Sequence, residues 1–174
     1  MVTLSPTGDE GGPVVIRFSQ PKALAAAAGT RLGVSAYREV PQCDIDTFGE
    51  LTGDRQWIHH DPERAADGPF GATVAHGMLS LSLVVPLLFS LFVVDGAALV
   101  LHKGLDRVRF WVPVPAGARL RLVADLVSVS IRPRGYVEAT IAVALELADG
   151  PVACSARIRL LYREEERCTL ATAS

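Results

Sequence analysis

Cysteine is scarce in this 174-residue chain: only Cys43, Cys154 and Cys168 occur, far apart and with no CxxC pair. That argues against a disulfide framework or a zinc site and fits reduced thiols in a cytoplasmic protein. Charge of either sign is not in excess, since 17 Lys and Arg against 19 Asp and Glu leave a net charge of −2, and only 6% of residues are aromatic. With neither a basic patch nor a series of stacking rings, nucleic acid is not an expected partner. The opening residues, MVTLSPTGDEGG, are acidic and Gly-rich without an apolar core, so export is not expected. The uncharged run Met78 to Val94 has 17 residues, and Ser80, Ser82, Pro86 and Ser90 dilute it. At 1.5 Å per residue it spans about 26 Å, short of the roughly 30 Å of a bilayer core, and no Lys/Arg cluster flanks it. A membrane is therefore not an expected partner either, and a helix apolar on every side belongs inside a protein core.

What is present is one domain's worth of chain, 49% hydrophobic. Residues 1–12 read as a disordered lead, 13–163 as the single domain and 164–174 as a flexible tail. Val14 to Phe18 reads as a short extended piece. Pro21 to Ala28 reads as a short helix opened by proline and ended by Gly29. Ser35 to Val40 suggests a first strand closed by Pro41. A helix capped by Cys43 or Asp44 is expected through Leu51, with Ile45, Phe48 and Leu51 on one face and Gly53 after it. The stretch from Gly53 to Gly77 is too rich in Gly, Pro, Asp and His for a core element, although DPERAA carries an Asp cap and a first-turn proline. After Gly96 the pattern turns to period two. Leu120, Leu122, Ala124 and Leu126 share one face, as do Val137 through Leu147 and Ala156 through Tyr162 at alternate positions. The expected fold is α+β, a buried helix wrapped by a curved antiparallel meander of about four long strands.

Three features could carry chemistry. Asp54 and His59 lie five residues apart after Gly53, and His76-Gly77 stands at the head of the apolar helix. A carboxylate beside an imidazole can hold a water between them and move its protons. The first N–H groups of a helix have no intrahelical acceptor, and glycine admits close approach, so the Gly77 N–H suits an oxyanion. Plainer readings exist: Asp54 as a turn residue, His59 as structural and His76 as a brace for the helix start. His59, His60 and Asp61 are adjacent and lack a fourth ligand at sensible spacing, so no metal site is expected.

The run LTGDRQWIHHDPERA, followed by GPFGATVAHGMLSLSL, resembles the signature of MaoC-like (R)-specific enoyl-CoA hydratases: S/T-G-D-x-N-P-L-H, then D-P-x-x-A, then a small residue and H-G. The resemblance covers about residues 36–162 and includes GLDRVRFWVPVPAG from Gly104 to Gly117. It implies a hot-dog fold, which agrees with the layout above. By resemblance Asp54 and His59 take the catalytic acid/base places and the Gly77 N–H the oxyanion place. Gln56-Trp57 replaces Asn-Pro, as in branches related to nodulation protein N, and the bulk of Trp57 bears on pocket shape. His102-Lys103 also departs from the family's more neutral pair.

The implied activity is syn hydration of a trans-2-enoyl thioester to the (R)-3-hydroxyacyl thioester, or the reverse dehydration. Water attacks C3, a proton reaches C2 and Gly77 holds the enolate oxygen. No cofactor or metal is implied, because the CoA or phosphopantetheine arm belongs to the substrate. Gln56, Trp57, His76, Lys103 and Arg107 are the expected substrate-binding residues. Arg107 and Arg109 on one strand face, with Lys103 before them, offer a basic stripe for CoA phosphates or an acyl carrier protein, or else a solvated face. Family members pair through sheet edges, which implies a homodimer. Two other functions fit the same fold: an acyl thioesterase and a non-catalytic acyl-thioester-binding subunit.

Overall fold

The computed structural model describes residues 15–165 and, as backbone, residues 2–5. The rest of the expected lead and tail, with Cys168, lies outside the described residues. Strand β1 (Val2–Ser5) falls inside the stretch expected to be disordered; it pairs antiparallel with β2 (Val15–Phe18). Pro21–Ala27 forms a 3-10 helix opened by its proline, with Gly29 beyond it at φ +84°. Of the strand expected over Ser35 to Val40 only β4 (Arg38–Glu39) forms; an unexpected strand, β3 (Thr30–Val34), precedes it, and both pair with β7 (Arg119–Arg132).

Helix α1 spans Gln42–Thr52. Its start is Pro41 without a side-chain cap, so neither Cys43 nor Asp44 serves as one. Gly53 ends it in the left-handed conformation, φ +77°, and donates its N–H to the Gly49 carbonyl at 2.9 Å. Ile45 is buried and Phe48 half-buried, whereas Leu51 is 83% exposed, so the apolar face is narrower than the spacing suggests.

The uncharged run is two elements rather than one. Helix α4 (Gly77–Phe89) is followed by strand β5 (Phe92–Val94), which pairs parallel with β2. Pro86 withholds an amide from the last turn, and Ser90 Oγ donates to the Leu87 carbonyl at 2.7 Å as the helix stops. Leu79, Leu81, Leu83, Val84, Leu87 and Leu88 are buried; Met78, expected in the core, is 58% exposed. Each fully buried leucine contributes about 1.5–3 kcal/mol. Among the described residues no helix is long and apolar enough to cross a membrane.

The larger sheet has the order β3-β7-β8-β9-β6, with β8 spanning Tyr136–Leu147, β9 Val152–Glu164 and β6 Ala97–Phe110. The inward faces are those expected: Leu120, Leu122, Ala124 and Leu126 on β7, Val137 to Leu147 on β8, Ala156 to Tyr162 on β9, all buried. The meander holds only for β7, β8 and β9. Strand β6 crosses to the far edge and pairs with β9, and three register shifts erase its alternation. One of them, between Asp106 and Arg109, holds Arg107 at φ +54°, so Arg107 and Arg109 do not follow a simple shared face.

Candidate active site

Two short helices missed or only half seen in the sequence shape the site. Helix α2 (Trp57–His60) carries His59 inward, and α3 (Pro62–Ala66) starts on Asp61, whose Oδ1 accepts the Arg64 N–H at 3.0 Å. His59 is 7% exposed. Its Nδ1–H donates to the Val74 carbonyl at 2.6 Å, which leaves Nε2 as the free lone pair. Burial, aided by the nearby His76, holds its pKa below the ordinary 6.5 against the opposing Val74 bond and Asp54 charge.

His76, 3% exposed, ends the loop before α4. Its ring stacks on that of His59, centroids 3.8 Å apart at 26°. Its Nε2–H donates to the Asp54 carbonyl at 3.0 Å, and its buried Nδ1 has no partner among the described residues. A carboxylate oxygen of Asp54 and one nitrogen from each of these rings all lie within 4.8 Å of one another. A small oxygen species beside the pair can thus meet a carboxylate and an imidazole at once, the arrangement that moves protons.

Gly77 is the first residue of α4, so its N–H has no intrahelical acceptor. A Cβ there would sit 3.2 Å from three ring carbons of Phe110, which shows how closely β6 approaches this helix end. His59 and Gly77 line one cavity of about 400 Å³. Its other walls are apolar, chiefly Ile58, Phe70, Val74, Phe110 and Trp111, with Ser80 as the polar exception. An imidazole, a free helix-end amide and an apolar slot therefore face one space.

Residues 23–146 match the family model described as the MaoC like domain. The chain belongs to the MaoC-like family. It is 45% identical over 124 residues to 3-hydroxyacyl-thioester dehydratase Z of Mycobacterium tuberculosis (strain ATCC 25618 / H37Rv), covering 71% of this chain and 82% of that protein. It is 47% identical over 95 residues to nodulation protein N of Rhizobium leguminosarum bv. viciae, 53% of this chain and 59% of that protein. Among solved structures, an R-hydratase from Pseudomonas aeruginosa in unliganded form superposes with TM-score 0.62 at 23% identity, covering 84% of this chain and 91% of that chain. A monoamine oxidase regulatory protein from Archaeoglobus fulgius reaches TM-score 0.70 at 24% identity, over 86% and 97%. The fold is thus the MaoC-like hot dog, α4 being the helix and the long sheet its wrapping.

The structure does not bring all of the expected substrate-binding residues of this MaoC-like chain to the cavity. Trp57 is held under the Arg64 guanidinium, 4.4 Å from its centroid, and against Gly68, where a Cβ would come within 2.9 Å of the ring. It braces the loop and does not line the cavity. Gln56 is exposed at the start of α2 and is likewise outside it. Lys103 Nζ pairs with Glu138 Oε2 at 2.6 Å, and seven steps along the strand, up to about 23 Å at 3.3 Å each, separate it from Phe110. Arg107 is exposed on the bulge and not among the cavity residues. Of the five, His76 alone joins the centre, and it contacts Asp54 and His59 rather than the slot.

Other residues of this MaoC-like centre carry no motif of their own. Gln42 Nε2 donates to the His59 carbonyl at 2.7 Å and to Asp46 Oδ1 at 2.8 Å, while its Oε1 accepts Thr73 Oγ1–H at 2.5 Å. Phe110 and Trp111 reach the cavity only because β6 crosses to the far edge. One local signal was readable: Gly49, an isolated glycine inside a helical pattern, marks a close approach.

Proposed function

We propose that this protein is a lyase that hydrates trans-2-enoyl thioesters to (R)-3-hydroxyacyl thioesters, or runs the reverse dehydration, in fatty-acyl metabolism. The observation that carries the reading is the cavity in which a neutral His59 Nε2, with Asp54 beside it, faces the same space as the Gly77 amide. The naming of the mycobacterial relative as a 3-hydroxyacyl-thioester dehydratase supports it. Asp54 and His59 hold the water. His59 Nε2 takes one proton as the water oxygen bonds C3, and the C2–C3 π pair moves onto the thioester carbonyl. The resulting oxyanion is met by the Gly77 N–H. The electrons then return to C2, which takes the proton back from His59. Both additions occur from the side the pair occupies, which gives syn stereochemistry. The apolar slot takes the acyl chain, and the CoA or carrier-protein arm lies outside; no cofactor or metal has a step in this reading.

We further propose a cytoplasmic homodimer. Strand β6 pairs only with β9 among the described residues, and its free edge carries Leu99, Leu101 and Leu105, each 40–47% exposed. A second copy laid edge to edge satisfies those amides and covers those side chains. The test of activity is a panel of enoyl-CoA esters followed by absorbance loss of the conjugated double bond. Loss of absorbance with a 3-hydroxyacyl product is expected. Release of free thiol identifies a thioesterase instead, and tight binding without turnover a binding subunit; either result overturns the reading.

A further inference from the structure

His60 stands beside the proposed chemistry without entering the cavity. It ends α2 one residue after His59, and its two nitrogens face two oxygens that only accept. Nδ1 hydrogen-bonds with Asp46 Oδ1 on α1 at 2.9 Å, and Nε2 lies 3.2 Å from the main-chain carbonyl oxygen of Asp54. The same carbonyl accepts His76 Nε2–H at 3.0 Å, so two imidazoles converge on the backbone of Asp54 from different elements. The carboxylate end of the bridge is itself fixed. Asp46 accepts from Gln42 as well, and those two hydrogen bonds hold its pKa below the ordinary carboxylate range.

Gly49 shows that this bridge is built into the packing. A Cβ there would lie 2.2 Å from His60 Nε2 and 2.9 Å from the Asp54 carbonyl oxygen, so both groups lie flat on α1 at the one place where it has no side chain. Asp54 otherwise sits on an exposed loop, where its N–H makes a 3.5 Å contact with Thr52 Oγ1. Such a loop does not hold a carboxylate to within an ångström by itself.

Resting on the function proposed above, we infer that His60 is a positioning residue: it clamps the Asp54 main chain to α1 through Asp46, so that the Asp54 carboxylate stands at the distance from His59 that the reaction needs. His60 moves no proton of the substrate. It also opens on its far side to a polar solvent-facing recess lined by Asp46, Glu50 and Arg55, away from the apolar slot.

The test is steady-state kinetics of His60→Ala and His60→Gln beside the wild-type protein, with and without added imidazole. A lost positioning bond leaves substrate binding alone, so kcat falls about tenfold or more while KM stays within about threefold. Because the recess opens to solvent, imidazole restores a large part of kcat to His60→Ala. Unchanged kcat in both variants overturns the inference, as does a KM that rises with kcat intact. A kcat that falls in step with thermal stability and is not restored by imidazole assigns His60 a merely structural role and also overturns it. If wild-type protein turns over no enoyl thioester, the function itself fails and the clamp falls with it; an active wild type with unaffected variants sinks the clamp alone.

Discussion

Gly49→Ala reverses the usual sign of a helical glycine substitution. In the middle of a helix, alanine for glycine ordinarily stabilises by about 0.5–1 kcal/mol. At position 49 the new Cβ meets His60 Nε2 at 2.2 Å, Cε1 at 2.4 Å and the Asp54 carbonyl oxygen at 2.9 Å. Opening the closest of these to an ordinary 3.4 Å moves the ring by about 1 Å, and the ring is tied at both ends. Overpacking of this kind costs about 1–3 kcal/mol, and losing a hydrogen bond to a charged group about 1.5–3 kcal/mol. The net expectation after the helix gain is a loss of about 1.5–5.5 kcal/mol, or a Tm lower by roughly 3–22 °C for a chain of this size. Displacing Asp54 by about an ångström is expected to lower kcat up to about 100-fold, with KM little changed. Thermal melts and initial rates on the same preparation check both numbers. A variant that melts higher than wild type and retains kcat refutes the close packing of His60 and Asp54 on α1.

Three further outcomes are expected. Burial keeps His59 neutral to lower pH than a free histidine, so the acid limb of kcat/KM is predicted below pH 6.5. A limb at or above that value contradicts a buried base. In the unfolded chain His59 binds its proton at about 6.5 while the folded site does not, so stability also begins to fall as pH drops through that range. Glu138 is buried, and Lys103 at 2.6 Å and Arg132 at 3.1 Å keep its carboxyl below the ordinary range. Its contribution to stability is present above the unfolded carboxylate value and lost as pH falls through the lower folded one, so Glu138→Gln lowers Tm at pH 7 and leaves kcat unchanged; urea melts at pH 7 and pH 3 separate the two regimes. Trp57→Phe weakens the contact with Arg64 by about 0.5–1 kcal/mol and leaves the ranking of acyl chain lengths by kcat/KM unaltered, whereas a changed ranking would put Trp57 back in the slot.

The parts legible in the sequence are those fixed by short-range chemistry. The alternation of β7, β8 and β9 appears as period two because one face of each strand is buried, and Asp61-Pro62 marks the start of α3 because capping is local. The length of the apolar run misled for a physical reason: Leu91 and Phe92 are as buried in a turn and strand as Leu88 is in the helix, so hydrophobicity alone does not show where α4 stops. The position of β6 is a topological fact with no local signature, and it decides that Phe110 and Trp111 reach the cavity while Lys103 does not. In the site, Asp54, His59 and Gly77 were readable as candidates, their acid/base and oxyanion places coming from the resemblance of the motif rather than from spacing alone. Gln42, Asp46 and His60 were not, because their role depends on α1 lying against the loop at Gly49. The direction of Trp57 was not readable, because bulk in a motif says nothing of where a ring points; it turns to Arg64.

The most direct measurement is the hydration rate of Asp54→Asn and His59→Gln on an enoyl thioester that the wild-type protein turns over. Each variant is expected to lose about two to four orders of magnitude in kcat, the contribution typical of a positioned acid or base, while its circular dichroism stays that of wild type. Near-normal rates in both folded variants would show that the stacked histidine and its neighbouring carboxylate are structural and that the chemistry lies elsewhere.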